Sequence, residues 1–328
     1  MKKNIVVIMG GYSKEYEISL KSGNTVFNNI DTKFYNAYKL IVNKKKWIIH
    51  TLEGESYPIS KEKFTCLMND VEIKFDIVFN MIHGTPGEDG IIQKYFDKLK
   101  IPYTGPSSDV AQLTFNKKNS VEFARKINIK TAKSILINKE SNISFYNIEK
   151  NLGLPLFIKA NNSGSSYGIS KVHSMKDLGI AIKKSFKFDD EVLIEQFLDG
   201  REVSVGVMYF NGKIKVFGIT EIITSNDFFD YEAKYYGKSE EITPAKLNKI
   251  QKERIEKITK KIYKKFRMRG FSRVDFIIIE NEPFFLEINS IPGMSDESIF
   301  PKQVMMNNIS LKNLFSYMIE DTLKNFKK

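Results

Sequence analysis

Three oxygen-bearing side chains, Asp275, Glu287 and Asn289, lie near one another on two short apolar segments late in the chain. Carboxylate and amide oxygens suit Mg²⁺, which keeps further coordination positions for phosphate oxygens. Arg273 adds a positive charge beside them, and Ser290–Met294 follows as a sharp turn whose N–H groups could meet a substrate. These residue types predict a site for Mg²⁺ and a phosphorylated ligand. The alternative is a solvated hairpin whose charges point at water.

A predicted β-hairpin positions these side chains. Phe271–Ile279 and Phe284–Asn289 are rich in aromatic and β-branched residues, and Glu280–Pro283 between them is typical of a turn. Because side chains alternate faces along a strand, a turn centred near the middle of that segment places Asp275 opposite Glu287. Two carboxylates facing each other across a ladder repel, so a cation is expected between them.

Two strand–turn–helix units predict an α/β fold in the N-terminal third. Asn4–Met9 is a continuous apolar run, typical of a buried parallel strand, and Lys14–Asn29 has a helical pattern. Phe75–Ile82 is a second such strand, which leads through the glycine-rich segment 83–90 into a predicted helix, Ile91–Leu99. Such strand–helix turns present helix N-termini to anions.

Two residues in these turns are candidate site residues. His83 follows a strand in a glycine-rich turn, which is where α/β folds bind ligands, although a lone histidine is often structural. Glu15 lies in the first helical turn, where it interacts favourably with the helix dipole or holds a substrate ammonium. The glycines after Met9 do not match G-x-G-x-x-G, which disfavours a nicotinamide-dependent Rossmann enzyme.

Small residues fill the segment 161–168, between a strand that ends near Ala160 and a predicted strand at Ile169–His173. Its N–H groups and hydroxyls could cradle a triphosphate, or it is an ordinary flexible hairpin tip. Lys159 just before it could pair with phosphate or be solvated. The long polar and aromatic segment Thr224–Glu241 is a candidate lid.

Further helices are predicted from periodicity and capping residues. Ser107–Asn128 has one continuous helical pattern, and Thr243-Pro244 is predicted to begin another helix. Ser310 is predicted to cap a last helix. Asn211-Gly212 predicts a tight hairpin turn between two strands.

Composition narrows the class of protein. The 328 residues allow two or three domains, and no apolar run approaches the length of a membrane span. The net charge of +12 is a feature of many nucleic-acid-binding proteins. However, only six of the 51 basic residues are arginine, and the lysines are spread along the chain. We therefore expect no nucleic-acid partner and no membrane partner. The single cysteine, Cys66, fits a reducing cytoplasm.

The chain resembles the D-alanine–D-alanine ligases of the ATP-grasp superfamily over nearly its whole length. The resemblance rests on eight segments in family order: GGYSKEYEISLKSG (10–23), HGTPGEDG (83–90), YTGPSS (103–108), IKANNSGSSYGISKV (158–172), VLIEQFLDGRE (192–202), DYEAKY (230–235), SRVDF (272–276) and LEINSIPGM (286–294). It implies an α/β and α+β ATP-grasp fold. A Rossmann-like α/β domain (1–103) would precede two α+β domains (104–198 and 199–328) that enclose ATP.

The resemblance also implies a reaction. ATP would phosphorylate the carboxylate of one D-alanine to an acyl phosphate, which the amine of a second D-alanine attacks. The product, D-alanyl-D-alanine, would enter peptidoglycan. The alternative is another ATP-grasp ligase with a different second substrate, D-serine or D-lactate. Tyr235 favours an amine, because relatives that make D-alanyl-D-lactate generally lack tyrosine at this position.

The resemblance implies a set of ATP and metal contacts. Two Mg²⁺ ions, replaceable by Mn²⁺, would be held by Asp275, Glu287 and Asn289. Two lysines would meet phosphates, the segment 195–198 would be the adenine hinge, and one acid would bind the ribose. The implied ATP-binding residues are Lys117, Lys159, Ser166, Glu195, Gln196, Phe197, Leu198, Glu202 and Lys234.

Roles toward the amino-acid substrates are implied as well. Glu15 would hold the ammonium of the first D-alanine and His83 would lie near its carboxylate, while Ser298 would bind the second carboxylate. Arg273 and the Gly293 N–H would stabilise the oxyanion. Ser165 and Tyr235 would link to Glu15 and close the lid over the site.

Some positions depart from the family pattern. Asn116 precedes Lys117 where aspartate is usual, and Ala160 follows Lys159 where proline is usual. The N-terminal domain also carries extra residues between about 43 and 74. This segment is a candidate surface for a homodimer.

Overall fold

Three β-sheets organise the protein. The computed structural model describes residues 2–142, 144–224 and 239–326. In chain order the sheets contain seven, four and five strands. The helices of the described residues, with one exception, are amphipathic and place their apolar side chains on a sheet or on a neighbouring helix. The exception is the short helix at 299–305, most of whose side chains are buried.

The first sheet combines a parallel and an antiparallel part. Its strands are β1 (Lys3–Gly10), β2 (Tyr35–Val42), β3 (Trp47–His50), β4 (Ser56–Ser60), β5 (Thr65–Met68), β6 (Val71–Lys74) and β7 (Ile77–Asn80). β1 pairs in parallel with β2 and β7, and β3 to β6 extend the sheet antiparallel from β2. Helices α1 (Tyr16–Asn28) and α2 (Ile91–Leu99) confirm the two predicted strand–turn–helix units.

The segment at about 43–74, which the family pattern predicts to be extra, is part of this sheet. Residues 47–74 form β3 to β6. Trp47, Phe64 and Cys66 from this segment are buried in one cluster with Ile8 and Phe96. The segment therefore contributes core as well as surface.

The second sheet is wholly antiparallel. Its strands are β8 (Ser134–Asn138), β9 (Leu156–Ala160), β10 (Ser170–Val172) and β11 (Glu191–Gln196), in the order β10-β9-β11-β8. Helices α5 (Phe145–Leu152) and α6 (Met175–Ser185) pack against it. The loop of small residues joins β9 to β10 at one end of this sheet.

The third sheet carries the predicted hairpin. Its strands are β12 (Arg201–Phe210), β13 (Lys213–Thr224), β14 (Ser239–Ile242), β15 (Ser272–Ile279) and β16 (Glu282–Asn289), in the order β14-β13-β12-β15-β16. Asp275 pairs with Glu287, which confirms the predicted register. The turn is tighter than predicted, at residues 280–281, and a register shift after Asp275 restores the pairing.

Two helix predictions are wrong in their boundaries. The pattern at 107–128 forms two helices, α3 (Ser108–Phe115) and α4 (Lys117–Lys126). Asn116 between them has extended backbone and accepts the Asn119 N–H at 2.9 Å, because asparagine side chains compete with helix bonds. Helix α7 (Lys249–Lys265) does not begin at Thr243-Pro244. Asn248 caps it in a reciprocal capping box with Gln251.

The C-terminal helices join the first and third sheets. α8 (Ile299–Met305) follows the third sheet, and α9 (Leu311–Phe326) ends the described chain, with Ser310 at its start as predicted. Phe79 of the first sheet, Phe271 beside the third, and Phe315 of α9 lie in one buried cluster. Across the described part of the chain, the helices are all too short or too polar to cross a membrane.

Candidate active site

Two clefts meet at the carboxylate of Glu287. The first has a volume of about 420 Å³ and lies between the second and third sheets, where Lys159, Glu195 and Glu202 line it. The second has a volume of about 260 Å³ and is lined by the start of α1 and the loops that follow β7 and β16. Glu287 lines both clefts, so ligands bound in the two clefts would meet beside it.

Asp275 accepts hydrogen bonds from three side chains at the oxygen cluster. It is buried, and its Oδ1 accepts the Ser204 hydroxyl at 2.6 Å. Arg273 donates Nε to Oδ1 and Nη2 to Oδ2, both at 3.0 Å, and Asn289 Nδ2 donates to Oδ2 at 3.1 Å. The structure therefore brings together Arg273, Asp275, Glu287 and Asn289, which the hairpin prediction placed on adjacent strands.

Lys117 connects three elements at this point. Its Nζ lies 3.5 Å from Glu287 Oε2 and donates to the Ser163 carbonyl at 2.5 Å. The break at Asn116 places Lys117 in the first turn of α4, facing β16 and the small-residue loop. A cation here is positioned for an anionic ligand in the first cleft, which Lys117 also lines.

Lys159 and Glu195 form a buried ion pair in the wall of the first cleft. They lie on the neighbouring strands β9 and β11. Burial lowers the pKa of Lys159, but the neighbouring carboxylates, chiefly Glu195 and then Glu287 and Glu202, together raise the pKa overall. The sequence suggested both residues as ATP contacts but did not indicate that they pair.

The expected adenine hinge follows β11 at the cleft wall. Gln196, Phe197 and Leu198 line the first cleft, as do Ser166 and Glu202. The Gln196 N–H donates to the Lys133 carbonyl at 2.9 Å, and the Phe197 N–H donates to the Pro155 carbonyl at 3.3 Å. Those two N–H groups hold the hinge against its own sheet.

In the second cleft, Glu15 meets the small-residue loop. The Ser165 hydroxyl donates to Glu15 Oε1, and Glu15 is buried at the residue before α1. Ser165 and Ser166 both have left-handed backbone, with φ of 46° and 59°. The loop thus turns sharply over the second cleft at the position where it contacts the residue before α1.

His83 is buried in the wall of the second cleft. Its Nε2 lies 3.2 Å from the Ser22 hydroxyl oxygen, which also accepts the Met294 N–H at 3.1 Å. Burial, followed by the neighbouring Arg273 charge, lowers the pKa of His83 to about 4. The imidazole is therefore neutral at pH 7. Ser22, which ties α1 to the loop after β16, was not predicted as a site residue.

Glu88 is a further cleft residue that the sequence analysis missed. It accepts the Gly84 N–H at 2.7 Å, and burial, followed by the charge of Glu15, raises its pKa to about 8. It lines the second cleft. An acidic residue in the same glycine-rich turn as His83 was the signal available for finding it.

The loop after β16 closes the second cleft from the other side. Gly293 and Ser298 both line it, and the hydroxyls of Ser295 and Ser298 lie 2.8 Å apart. A Cβ atom at Gly293 would lie 2.8 Å from Ser298 Oγ, a distance that real Cβ atoms do not adopt. A side chain at this position would therefore require the Ser298 hydroxyl to move.

Part of the predicted site falls outside the described residues. Lys234 and Tyr235, in the candidate lid 224–241, lie there. The described flanks of that segment are strands, since β13 runs to Thr224 and β14 begins at Ser239. β13 and β14 pair with each other.

The donor set of the hairpin fits a hard divalent cation. In the described ranges no group of three or more His, Cys, Asp or Glu side chains is arranged to hold a metal ion. The candidate instead has two carboxylates, Asp275 and Glu287, and the amide of Asn289. Mg²⁺ is commonly held by one or two protein carboxylates together with substrate phosphates, so this set suits it.

Comparisons with known proteins agree over the whole chain. The family models D-ala D-ala ligase N-terminus and C-terminus match residues 4–106 and 123–320. A D-alanine--D-alanine ligase from Flavobacterium johnsoniae is 48% identical over 98% of this chain and 99% of its own. VanG D-Ala:D-Ser ligase from Enterococcus faecalis has a TM-score of 0.86 at 31% identity, covering 98% of this chain and 99% of its own. D-alanine--D-alanine ligase from Bacillus anthracis complexed with ATP has a TM-score of 0.79 at 26% identity, covering 99% of each chain.

Proposed function

The chain belongs to the D-alanine–D-alanine ligase family, and we propose that it joins two D-alanine molecules to D-alanyl-D-alanine for peptidoglycan synthesis. Its fold is the ATP-grasp fold, and it is an ATP-dependent ligase. The observation that carries the proposal is the meeting of the two clefts at Glu287, beside Asp275 and Arg273. One cleft would hold ATP, and the other would hold the two amino acids.

The proposed reaction has two steps. A carboxylate oxygen of the first D-alanine attacks the γ-phosphorus of ATP, so that an acyl phosphate forms and ADP leaves. The amine of the second D-alanine then attacks the acyl carbon and loses a proton. Phosphate departs with the electrons of the broken C–O bond, which leaves the dipeptide. Most of the catalysis in such a phosphoryl transfer is positioning and charge stabilisation.

In the first cleft, the chain would bind ATP through residues of the second and third sheets. Lys117 and Lys159 would contact phosphates, with Ser166 from the small-residue loop, and Glu202 would bind the ribose. The segment 195–198 would contact adenine. Their common position on the walls of one cleft supports this assignment.

Asp275, Glu287 and Asn289 would hold two Mg²⁺ ions, with Mn²⁺ as a substitute. The chemistry of the donor set supports this assignment. When bound, the ions would neutralise negative charge on the ATP phosphates. Arg273, on the same face of the hairpin, would stabilise the oxyanion together with the Gly293 N–H.

In the second cleft, Glu15 would hold the ammonium of the first D-alanine, and Ser165 would orient Glu15. The hydrogen bond between these two side chains supports the pairing. Neutral His83 would lie near the carboxylate of the first D-alanine, and Ser298 would bind the second carboxylate. Lys234 would meet the transferring phosphate, and Tyr235 would link to Glu15 and favour an amine as second substrate.

Three further properties belong to this proposal. The domains would be 1–103, 104–198 and 199–328. The enzyme would act in the cytoplasm, where ATP is available as phosphoryl donor. It would be a homodimer formed through the extra N-terminal segment, since β6 is an edge strand with Val71 exposed and Leu67 is exposed beside it.

Phosphate release from ATP and Mg²⁺ tests the reaction. We expect release with D-alanine, and none with L-alanine, D-serine or D-lactate as sole substrate. The rate of the Asp275→Ala variant should fall at least ~100-fold, since the loss of a single charge-stabilising contact in an active site lowers kcat by about this factor. The control is Asp190→Asn, which removes an exposed carboxylate. If D-alanine gave phosphate release only when D-lactate or D-serine was also present, that compound would be the second substrate instead of D-alanine. No release under any condition would refute the ligase activity.

A further inference from the structure

Ser204 lies directly opposite Asp275 on neighbouring strands of the third sheet. Its hydroxyl donates to Asp275 Oδ1 at 2.6 Å, and both residues are buried, at 0% and 5% exposure. We propose that the Ser204 hydroxyl is a positioning group for the metal site, which holds the Asp275 carboxylate in the orientation that binds Mg²⁺. This inference rests on the proposed function, because it takes Asp275 as a metal ligand.

Ser204 is the donor to Asp275 with the least freedom to move. It lies in β12, the central strand of the five, which is paired on both sides. The Ser204 carbonyl accepts the Gln303 side-chain Nε2 at 3.0 Å, and the same amide donates to Thr220 Oγ1 at 2.9 Å. Gln303 is fully buried and belongs to α8, so a helix and two strands hold Ser204 in place.

The other two donors to Asp275 each have a different proposed task. Arg273 would act on the oxyanion, and Asn289 would present its amide oxygen to the metal, whereas here Asn289 donates through Nδ2. Neither residue would therefore act on Asp275 alone, since a guanidinium has further N–H groups and an amide has an oxygen as well as an NH₂ group. The Ser204 hydroxyl is compatible with metal binding, since a cation that replaced the Asn289 Nδ2 donor at Oδ2 would leave the hydrogen bond from Ser204 to Oδ1 in place. Groups that hydrogen-bond a metal-ligating carboxylate typically contribute about 10–100-fold to metal affinity.

Mn²⁺ binding measured by electron paramagnetic resonance, with a non-hydrolysable ATP analogue present, tests this role without needing turnover. We expect Ser204→Ala to weaken Mn²⁺ binding about 10-fold. The KM for Mg²⁺ should rise by the same factor, while kcat at saturating Mg²⁺ changes by less than about threefold. Ser204→Thr keeps the hydroxyl and should bind Mn²⁺ within about twofold of the unmodified enzyme.

Ser272→Ala is the matched control. Ser272 is also a buried serine in this sheet, three positions before Asp275, and among the described residues its hydroxyl has no hydrogen-bond partner. Its replacement should leave Mn²⁺ affinity unchanged. Thermal unfolding of all three variants shows whether each is folded.

Unchanged Mn²⁺ affinity in Ser204→Ala, or an equal loss in the Ser272→Ala control, would overturn the inference and leave the ligase intact. A fall in kcat alone would likewise contradict a role in metal positioning. If the unmodified enzyme bound no Mn²⁺ with the nucleotide, the metal site of the proposed function would fail first and the role of Ser204 with it.

Discussion

Two buried ionisable side chains of this site, His83 and Glu88, have strongly shifted pKa values. His83 is buried beside Arg273, and its pKa is lowered to about 4. Glu88, in the same turn, has its pKa raised to about 8 by burial and by the charge of Glu15. The free protein therefore keeps both groups neutral near pH 7, which limits the charge that must be desolvated around the second cleft.

The titration of His83 predicts a component of acid instability. Between pH 6.5 and 4 the unfolded chain binds a proton at this residue that the folded chain does not bind, so stability falls as pH decreases through that window. Between pH 7.5 and 5 the expected loss from His83 is about 2 kcal/mol. Urea unfolding at the two pH values measures it.

His83→Gln cannot titrate and should lose this component of the pH dependence. His173→Gln, on the protein surface, serves as the control and should retain it. An identical fall in unfolding free energy for His83→Gln and the unmodified protein would contradict the assignment.

Gly293 provides a prediction that depends on size alone. A methyl group at this position would lie 2.8 Å from Ser298 Oγ, so Gly293→Ala must displace the loop or the serine. We expect kcat/KM for D-alanine to fall at least ~10-fold, because small displacements of positioned groups have large effects on rate. ATP affinity should be unchanged, since Gly293 lines the second cleft.

Gly179→Ala is the control for Gly293→Ala. Gly179 lies in α6, and the nearest atom to an added Cβ would be 3.7 Å away. Its replacement should preserve activity and slightly increase stability, because alanine favours a helix. Activity of Gly293→Ala within twofold of the unmodified enzyme would show that the loop accommodates the methyl group.

Among the elements, the small-residue loop depends on contacts with the start of α1. Lys14 Nζ lies 4.4 Å from the centroid of the Phe188 ring and 5.6 Å from that of Tyr167. The two rings stack on each other with centroids 6.1 Å apart. Together with the hydrogen bond from Ser165 to Glu15, this cation–π contact holds the loop over the second cleft.

Removing the charge of Lys14 should loosen that loop. An exposed cation–π contact stabilises by about 0.5–1 kcal/mol, so Lys14→Met should raise the KM for ATP and for D-alanine about 2–5-fold. Limited proteolysis within residues 161–168 should be faster in the absence of ligand. Steady-state kinetics and mass spectrometry of the fragments measure the two effects.

Lys14→Arg keeps a cation over the rings and should behave like the unmodified enzyme. Lys39→Met removes a comparable contact with Phe27, at 5.1 Å, on the first sheet, and should change neither quantity. Equal effects of Lys14→Met and Lys39→Met would mean that the loop does not depend on this contact.

Local patterns predicted most element types but not where elements are interrupted. The apolar periodicity at 107–128 continues through Asn116, so it does not distinguish one helix from two. In the structure, Asn116 ends α3 and caps the start of α4. The hairpin shows the same limit. A two-residue turn alone would pair Asp275 with Leu286, and the register shift after Asp275 brings Glu287 into that place instead. Bulges of this kind depend on neighbouring strands and helices, so alternation along the strand does not reveal them.

At the scale of the whole molecule, one core joins the first and third sheets. The buried cluster extends from Phe79 through Phe271 to Phe315, so the two sheets are held as a unit by α9. The second sheet has its own cluster around Leu156, Ile158 and Ile194. Because the first cleft lies between the second and third sheets, ligand binding there bridges two separate cores.

The proposed homodimer leads to a prediction about mass. Light scattering should give twice the chain mass of 37.9 kDa for the unmodified protein. Val71→Lys, on the edge strand β6, should give the single-chain mass, because a charge on an edge opposes strand pairing. Ile180→Lys, at a more exposed position on α6, should remain dimeric. A single-chain mass for the unmodified protein, or a dimer in Val71→Lys, would refute this surface.

The sequence by itself determined the chemistry and the kind of elements. Apolar runs followed by glycines specify the N-terminal strand–turn–helix units, and the hairpin carries its carboxylates at alternating positions, because these features depend only on neighbours along the chain. The tertiary structure decided which groups meet: Lys159 with Glu195, His83 with Ser22, and Ser204 with Asp275. These partners are 36, 61 and 71 positions apart, and only the packing of sheets brings such distant residues within hydrogen-bond distance.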